Sequence, residues 1–156
     1  MLRAALCALA CWVLGGCAAR AQAGPGAQPA APEPAYIPMA GRTDLPFSAA
    51  VRVGPTLYLS GQIGTDSTGK VVTGGIQPET RQALENIRAL LEQNGSSMDR
   101  VVKCTAMLAD MKEWGAMNEV YVTFFPRHRP ARSAFGTSGL ALGARVEIEC
   151  MAAAAS

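Results

Sequence analysis

Large apolar side chains repeat with two different periods along the chain after residue 36. A period of two, typical of strands, alternates with stretches that repeat at the helical spacing of three and four residues. The predicted strands are Tyr36–Ala40, Phe47–Val53, Thr56–Gln62, Val101–Leu108, Ala131–Thr137 and Ala144–Met151, and the predicted helices are Gln77–Asn94 and Lys112–Phe125. The order β-β-β-α-β-α-β-β predicts an α+β fold, in which one mixed sheet carries both helices on one face.

The predicted strands carry apolar side chains on both of their faces. In Val101–Leu108, for example, Val102, Cys104 and Ala106 alternate with Val101, Thr105 and Met107. Two helices can cover only one face of such a sheet. If the other face met water, its side chains should be polar, and half of the strand positions would then be polar. The pattern therefore predicts that a partner subunit covers the second face.

The apolar stripe of the second helix runs through Trp114, Met117, Val120 and Tyr121. We interpret this stripe as core rather than as a binding cage, because apolar residues at helical spacing usually face the interior.

The N-terminal residues have the composition of an export signal. Residues 1–17 combine Arg3, a short apolar segment and the lipobox-like sequence Leu-Gly-Gly-Cys, which predicts cleavage before a lipid-modified Cys17. Plain cleavage after Ala21 or Ala23, or an uncleaved apolar helix, are the alternatives. Residues 18–35 are rich in Ala, Pro and Gly, which predicts a flexible tether to a domain at 36–153. We therefore expect an exported protein, periplasmic and membrane-anchored through Cys17, with a soluble periplasmic or secreted form as the alternative.

Charge and cysteine content narrow the classes of ligand. The net charge is +2 and falls to about zero when the leader is removed, so no basic field is predicted to recruit nucleic acid. Among the five cysteines, Cys104 and Cys150 lie in strand-like runs, where we expect two buried free thiols rather than a disulfide. With one histidine and no Cys-x-x-Cys motif, a protein zinc site is not expected.

The last two predicted strands carry the residues best suited to chemistry. In the final strand, Arg145, Glu147 and Glu149 should face away from the helices. If Arg132 shares that face, its guanidinium meets the Glu147 carboxylate in a cleft lined by a partner subunit. The planar fork of an arginine suits a small carboxylate, and a glutamate can position or deprotonate a water. A purely structural Arg–Glu salt bridge explains the same pattern equally well.

Five segments, taken in order, resemble the reactive intermediate deaminase (Rid, YjgF-like) family. They are Leu59–Ile63, Gln82–Ile87, Met117–Pro126, Pro130–Ser133 and Val146–Glu149. The resemblance spans essentially the whole predicted domain. It implies a homotrimer of the chorismate mutase-like type, with active sites in the clefts between subunits. It also implies hydrolysis of enamines and imines such as 2-aminoacrylate to 2-keto acids and ammonia, without a metal or organic cofactor.

The resemblance assigns roles to single residues. It implies that Arg132 grips the substrate carboxylate, that Glu147 holds the attacking water and that the backbone N–H of Gly61 contacts the ligand. Ser60 and Asn118 match polar positions near the cleft. Two further substrate-binding positions depart from the family: Ala134 stands where a cysteine is frequent, and Phe47 where a tyrosine is frequent.

Two other functions compete with a deaminase. Some relatives are described as endoribonucleases, and the loop Arg127–Arg129 is basic, but we interpret it as a solvated loop. The export signal favours a second alternative, a non-catalytic trimer that binds a small carboxylate or acts as a chaperone.

Overall fold

The computed structural model describes residues 30–42 and 44–154. The predicted leader, including Cys17, and most of the predicted tether lie outside these residues. From Pro32 onward the chain forms one compact unit, and β1 begins at Ala35, close to the predicted domain start. Within the described residues, no helix is both long enough and apolar enough to cross a membrane.

In the described part of the chain, seven strands form one mixed sheet that packs with two α-helices. The strands are β1 (Ala35–Ile37), β2 (Ala50–Val53), β3 (Thr56–Leu59), β4 (Gln62–Ile63), β5 (Val101–Leu108), β6 (Ala131–Gly136) and β7 (Val146–Ala153), and the helices are α1 (Ile76–Gln93) and α2 (Trp114–Tyr121). The strand order is β1-β2-β3-β7-β5-β6, and β4 pairs with β7. Only the β5–β6 pair among these is parallel. The predicted α+β fold is confirmed.

The helices cover one face of the sheet and enclose the core. Leu84, Ile87 and Leu91 of α1 recur at helical spacing and are fully buried. They pack with apolar strand residues of the same face, among them Leu57, Ala106, Leu108, Val146 and Ile148.

The opposite face of the sheet carries large apolar side chains that no other described residues cover. Tyr36, Tyr58, Phe135 and Met151 are all exposed on it. The predicted two-sided apolar character is confirmed, with one correction at the start of β5. A bulge between Val101 and Lys103 turns Val101 into the core and leaves Val102 54% exposed.

The predicted strand Thr56–Gln62 is broken at Ser60 and Gly61. Between the pairs that join β3 and β4 to β7, the three residues after Tyr58 face only two on β7. Such a one-residue excess is a β-bulge, which bends the strand and redirects its side chains. The sequence pattern did not predict this break. The bulge lies beside Glu147, which is the register partner of Ile63.

Cys104 and Cys150 form a disulfide, so the prediction of two free thiols was wrong. The two residues are register partners on β5 and β7, with their Cα atoms 4.1 Å apart. Directly opposed residues at this separation are close enough to bridge. Both strands were predicted, but the register that sets the cysteines opposite each other depends on tertiary pairing.

Candidate active site

Arg132 lies on the edge strand β6 and faces the helices. In the parallel β5–β6 pair, Arg132 is the register partner of Cys104, whose side chain is buried in the core. Register partners in a sheet project their side chains to the same face. The guanidinium therefore extends along the core side of the sheet edge, towards α2.

Three side chains of α2 lie beside the Arg132 guanidinium. They are Trp114, Met117 and Tyr121, and we call them the aromatic cradle. The guanidinium carbon is 4.5 Å from the centre of the Tyr121 ring and 6.0 Å from that of Trp114. Arg132 Nη1 is 4.0 Å from the Met117 sulfur. Because the three residues are spaced by three and four, they share one face of the helix.

The interpretation of the α2 stripe as core was right for Met117 and Tyr121 but wrong for Trp114. Met117 is fully buried, whereas the Trp114 indole is 43% exposed beside the guanidinium. The sequence predicted the helical spacing from Trp114 to Tyr121. It did not predict that this face of the helix lies against Arg132 of β6.

Arg132 has no acidic partner among the described residues, unlike several other arginines of the chain. Arg145 pairs with Glu113, and Arg88 pairs with Glu85, at 2.6 and 2.8 Å. A half-buried guanidinium without a carboxylate is costly unless other groups solvate it. Here the ring faces supply part of that stabilisation.

Ala134 and Asn118 lie near Arg132 in the fold. Ala134 is two residues along β6, on the same face and half-buried. Asn118 is half-buried on α2, four residues after Trp114 and three before Tyr121, which places it on the same helical stripe. Together with the cradle, Arg132, Ala134 and Asn118 form what we call the arginine cluster.

The Tyr121 phenol is enclosed within the arginine cluster. Its ring is only 5% exposed and packs against Phe125, with ring centres 4.8 Å apart. Burial raises the pKa of Tyr121 to about 12, and the positive charge of Arg132 partly opposes this rise. The hydroxyl is buried and finds no hydrogen-bond partner in the described part of the chain.

Glu147 faces the other side of the sheet and packs against Gly61. It is the register partner of Met107 and of Ile63, next to the bulge that separates β3 from β4. A Cβ placed on Gly61 would overlap the Glu147 carboxylate, at 2.8 Å from its Cδ and 2.9 Å from its Cγ. Position 61 must therefore be glycine if the carboxylate is to lie where it does.

Ser60 precedes Gly61 in the chain, and Phe47 shares a groove with Ser60. The Ser60 hydroxyl donates a hydrogen bond to the Ser48 carbonyl at 2.6 Å, and its N–H donates to Ala49 at 3.0 Å. Ser60 and the exposed Phe47 line an open groove of about 710 Å³. We call Glu147, Gly61, Ser60 and Phe47 the glutamate cluster.

The predicted meeting of Arg132 and Glu147 on one face does not occur within the chain. Arg132 faces α2, whereas Glu147 points to the opposite side of the sheet. Arg145 was also assigned wrongly, because it precedes β7 and turns towards the helices. Its guanidinium pairs with Glu113, and its backbone N–H donates to the buried Glu79 at 2.7 Å.

Other predicted features fall outside these clusters. Arg127, His128 and Arg129 are exposed, and Arg127 pairs with Asp99, in line with the solvated loop that was predicted. In the described ranges, no group of three or more His, Cys, Asp or Glu side chains is placed to hold a metal ion.

The family model described as endoribonuclease L-PSP matches residues 40–154. The chain belongs to this family. The Rid resemblance of the sequence motifs is confirmed by relatives that carry that name. The chain is 39% identical over 108 residues to Reactive Intermediate Deaminase A, chloroplastic, of Arabidopsis thaliana, covering 69% of this chain and 58% of the plant protein.

A mouse relative shares more of its sequence with this chain. It is the 2-iminobutanoate/2-iminopropanoate deaminase of Mus musculus, 46% identical over 108 residues, which are 69% of this chain and 80% of the mouse protein. The human deaminase of the same name is 44% identical and is covered to 79%.

Solved structures of similar proteins have the same fold. A Rid protein from Yersinia pestis superposes with a TM-score of 0.73 at 36% identity, over 78% of this chain and 99% of that protein. The E. coli protein TdcF, solved with bound serine, gives a TM-score of 0.68 at 29% identity, over 77% and 94%.

Proposed function

We propose that this protein hydrolyses reactive imines and enamines of small carboxylic acids, such as 2-aminoacrylate, to 2-keto acids and ammonia. The enamine first tautomerises to the imine. Water then adds to the imine carbon, the C–N bond breaks, and nitrogen leaves as ammonia while the carbonyl forms. The proposal is supported by the deaminase names of the mouse and Arabidopsis relatives.

The observation that carries the proposal is the half-buried Arg132 guanidinium without an acidic partner in the described chain. A guanidinium binds both oxygens of a carboxylate through two parallel N–H donors. Because its charge is not neutralised by a neighbouring acid, the anion that completes it can come from a ligand. Serine, the molecule bound in the TdcF structure, carries such a carboxylate.

We further propose that each active site combines the arginine cluster of one subunit with the glutamate cluster of its neighbour in a homotrimer. Arg132 and Glu147 lie on opposite faces of the sheet, so one small substrate cannot touch both within a chain. The uncovered apolar face with Tyr58 and Met151 favours association, because a soluble monomer rarely exposes such a surface. Arg132 also lies on the edge strand, where a neighbour can approach it.

Each cluster then has a defined task. Arg132 anchors the carboxylate, and the Glu147 carboxylate positions the water that attacks the imine carbon. Holding water and substrate together removes much of the entropic cost of the addition. The Gly61 backbone N–H contacts the ligand, and Ser60 and Asn118 supply polar contacts nearby. Phe47 and Ala134 give apolar walls where a tyrosine and a cysteine are frequent, which changes substrate choice rather than the chemistry.

We propose that the protein acts outside the cytoplasm, held to a membrane through a lipid on Cys17. The support is the apolar leader of residues 1–17 and its Leu-Gly-Gly-Cys end. Mass spectrometry of the N-terminus of membrane-extracted protein tests this proposal. A diacylglycerol-modified Cys17 is expected, and a mature N-terminus at residue 22 or 24 would contradict lipidation in favour of plain export.

The deaminase activity is tested by generating imines with an L-amino-acid oxidase and trapping the remaining imine with semicarbazide. Wild-type protein is expected to lower the yield of semicarbazone, whereas Arg132→Ala is expected not to. Arg129→Ala removes the same charge from an exposed loop and is the matched control. Arg132→Lys keeps the charge without the planar fork and should retain only a small part of the activity.

Equal acceleration of imine decay by wild type and by Arg132→Ala would rule out the role of Arg132. No acceleration by the wild type over a reaction without protein would rule out the deaminase. If calorimetry then still detected Arg132-dependent binding of 2-oxobutanoate, the non-catalytic carboxylate-binding protein would be the function that remains.

A further inference from the structure

The Arg132 guanidinium is held by ring faces rather than by an acid. The Tyr121 ring centre lies 4.5 Å from the guanidinium carbon, and Trp114 flanks it at 6.0 Å. A cation over the face of an aromatic ring is attracted by the negative face of the ring quadrupole. The guanidinium carbon lies over the Tyr121 ring, and this contact leaves the positive charge uncancelled.

Carboxylate recognition uses a different part of the same group. The N–H donors of a guanidinium point outward in its plane, and a carboxylate binds along that edge in the bidentate mode. An acidic neighbour would occupy the edge and cancel the charge, as Glu113 does for Arg145. An aromatic neighbour leaves the charge uncancelled, and the one recorded contact of the N–H edge is a weak one, from Nη1 to the Met117 sulfur at 4.0 Å, which a carboxylate can replace.

Tyr121 has the rigidity that such a support requires. Tyr121 is 5% exposed and its ring packs against that of Phe125, while Trp114 is 43% exposed and less confined. The Tyr121 hydroxyl has no hydrogen-bond partner in the described residues, so the contact with Arg132 depends on the ring and not on the hydroxyl.

We propose that Tyr121 is a positioning residue, whose ring holds the Arg132 guanidinium with its donor edge free for the carboxylate of the substrate. This inference rests on the proposed role of Arg132 as the carboxylate anchor. Because the ring acts on the anchor and not on the reacting atoms, its loss should weaken binding of the carboxylate and leave the chemical step little changed.

Three variants of the full-length protein separate the ring from the hydroxyl. Tyr121→Phe keeps the ring, Tyr121→Leu removes it, and 3,4,5-trifluorophenylalanine at position 121 keeps its shape while weakening its negative face. Binding of 2-oxobutanoate is measured by calorimetry, and KM and kcat are measured in the oxidase-coupled assay. The trifluoro variant keeps the question answerable if Tyr121→Leu fails to fold.

Tyr121→Phe, the conservative variant, is expected to keep the wild-type affinity. Tyr121→Leu and the trifluoro variant are expected to raise Kd and KM about threefold to thirtyfold with kcat nearly constant. In an Arg132→Ala background, exchange of Tyr121 for leucine should have no further effect on Kd.

Two different results would refute the role of Tyr121 and the role of Arg132 separately. If all three variants bind 2-oxobutanoate like wild type while Arg132→Ala does not, the role of Tyr121 is refuted and that of Arg132 stands. If Arg132→Ala itself binds like wild type, the role of Arg132 as the carboxylate anchor is refuted, and the inference about Tyr121 falls with it.

Discussion

Substitution of Gly61 by alanine should remove activity while leaving the fold intact. The added Cβ would overlap the Glu147 carboxylate and lie 2.8 Å from Glu147 Cδ. Carbon atoms normally pack no closer than about 3.5 Å, so the carboxyl group must move by roughly 0.7 Å or more. A misplacement of about 1 Å in a catalytic group can cost about 100-fold in rate, which is the decrease we expect in kcat.

The cost to stability should be small, because the obstacle is the far end of a flexible side chain. Gly61 is not among the residues with a positive φ, so alanine is compatible with its backbone. Gly64 provides the contrast, since a Cβ there would lie 2.6 Å from the Glu79 carbonyl oxygen and 2.7 Å from its Cα, in the backbone of α1. We expect Gly64→Ala to destabilise the protein by about 1–3 kcal/mol and Gly61→Ala by less than about 1 kcal/mol.

Steady-state kinetics in the oxidase-coupled assay and urea denaturation measure the two effects separately. If Gly61→Ala acts through the carboxylate, adding Glu147→Gln to it should lower kcat little further, because both changes remove the same positioned group. A folded Gly61→Ala protein with wild-type kcat would refute this role of Glu147. Fully multiplicative effects of the two substitutions would refute their shared cause.

Three further predictions concern stability. Replacing Cys104 and Cys150 by alanine removes a disulfide of sequence separation 46. The chain-entropy model predicts that the free energy of unfolding then falls by about 4 kcal/mol. An unchanged unfolding midpoint in guanidinium chloride would contradict this prediction. Since the folded-state pKa of Tyr121 is raised to about 12, the stability of the wild type relative to Tyr121→Phe should be constant below about pH 10 and fall by up to about 3 kcal/mol towards pH 12. Denaturation curves that stay parallel for the two proteins across this range would disprove the burial of the phenol. Glu79→Ala leaves the Arg145 backbone N–H without its acceptor. The free energy of unfolding, measured by thermal denaturation, should fall by about 1–3 kcal/mol. An unchanged free energy of unfolding would show that this hydrogen bond does not stabilise the fold.

The elements that follow from local periodicity were predictable from the sequence. Strand β5 was predicted with its observed bounds, and α1 was displaced by one residue at each end. The second helix was predicted as Lys112–Phe125, but only Trp114–Tyr121 is α-helical, with 3-10 turns on either side. Helix ends depend on capping and packing, which the apolar spacing does not contain.

The candidate site was predicted by residue but not by arrangement. Arg132 and Glu147 were each found in an apolar strand, where a charge needs a reason. Their faces depend on the β5–β6 register and on the bulge near Gly61, and a shift of one residue in register reverses every side chain of a strand. The same dependence on register hid the Cys104–Cys150 bridge.

The most direct test of the shared active site is complementation between two inactive proteins. Arg132→Ala and Glu147→Gln subunits carrying different tags are co-expressed in equal amounts, and the mixed trimers are isolated through both tags. If each site takes Arg132 from one subunit and Glu147 from its neighbour, random mixing restores an intact site at about one quarter of positions. The unfractionated mixture should then show about a quarter of the wild-type kcat per subunit, and the doubly tagged trimers somewhat more. Mixed trimers as inactive as the two parent proteins would contradict a site built from two subunits.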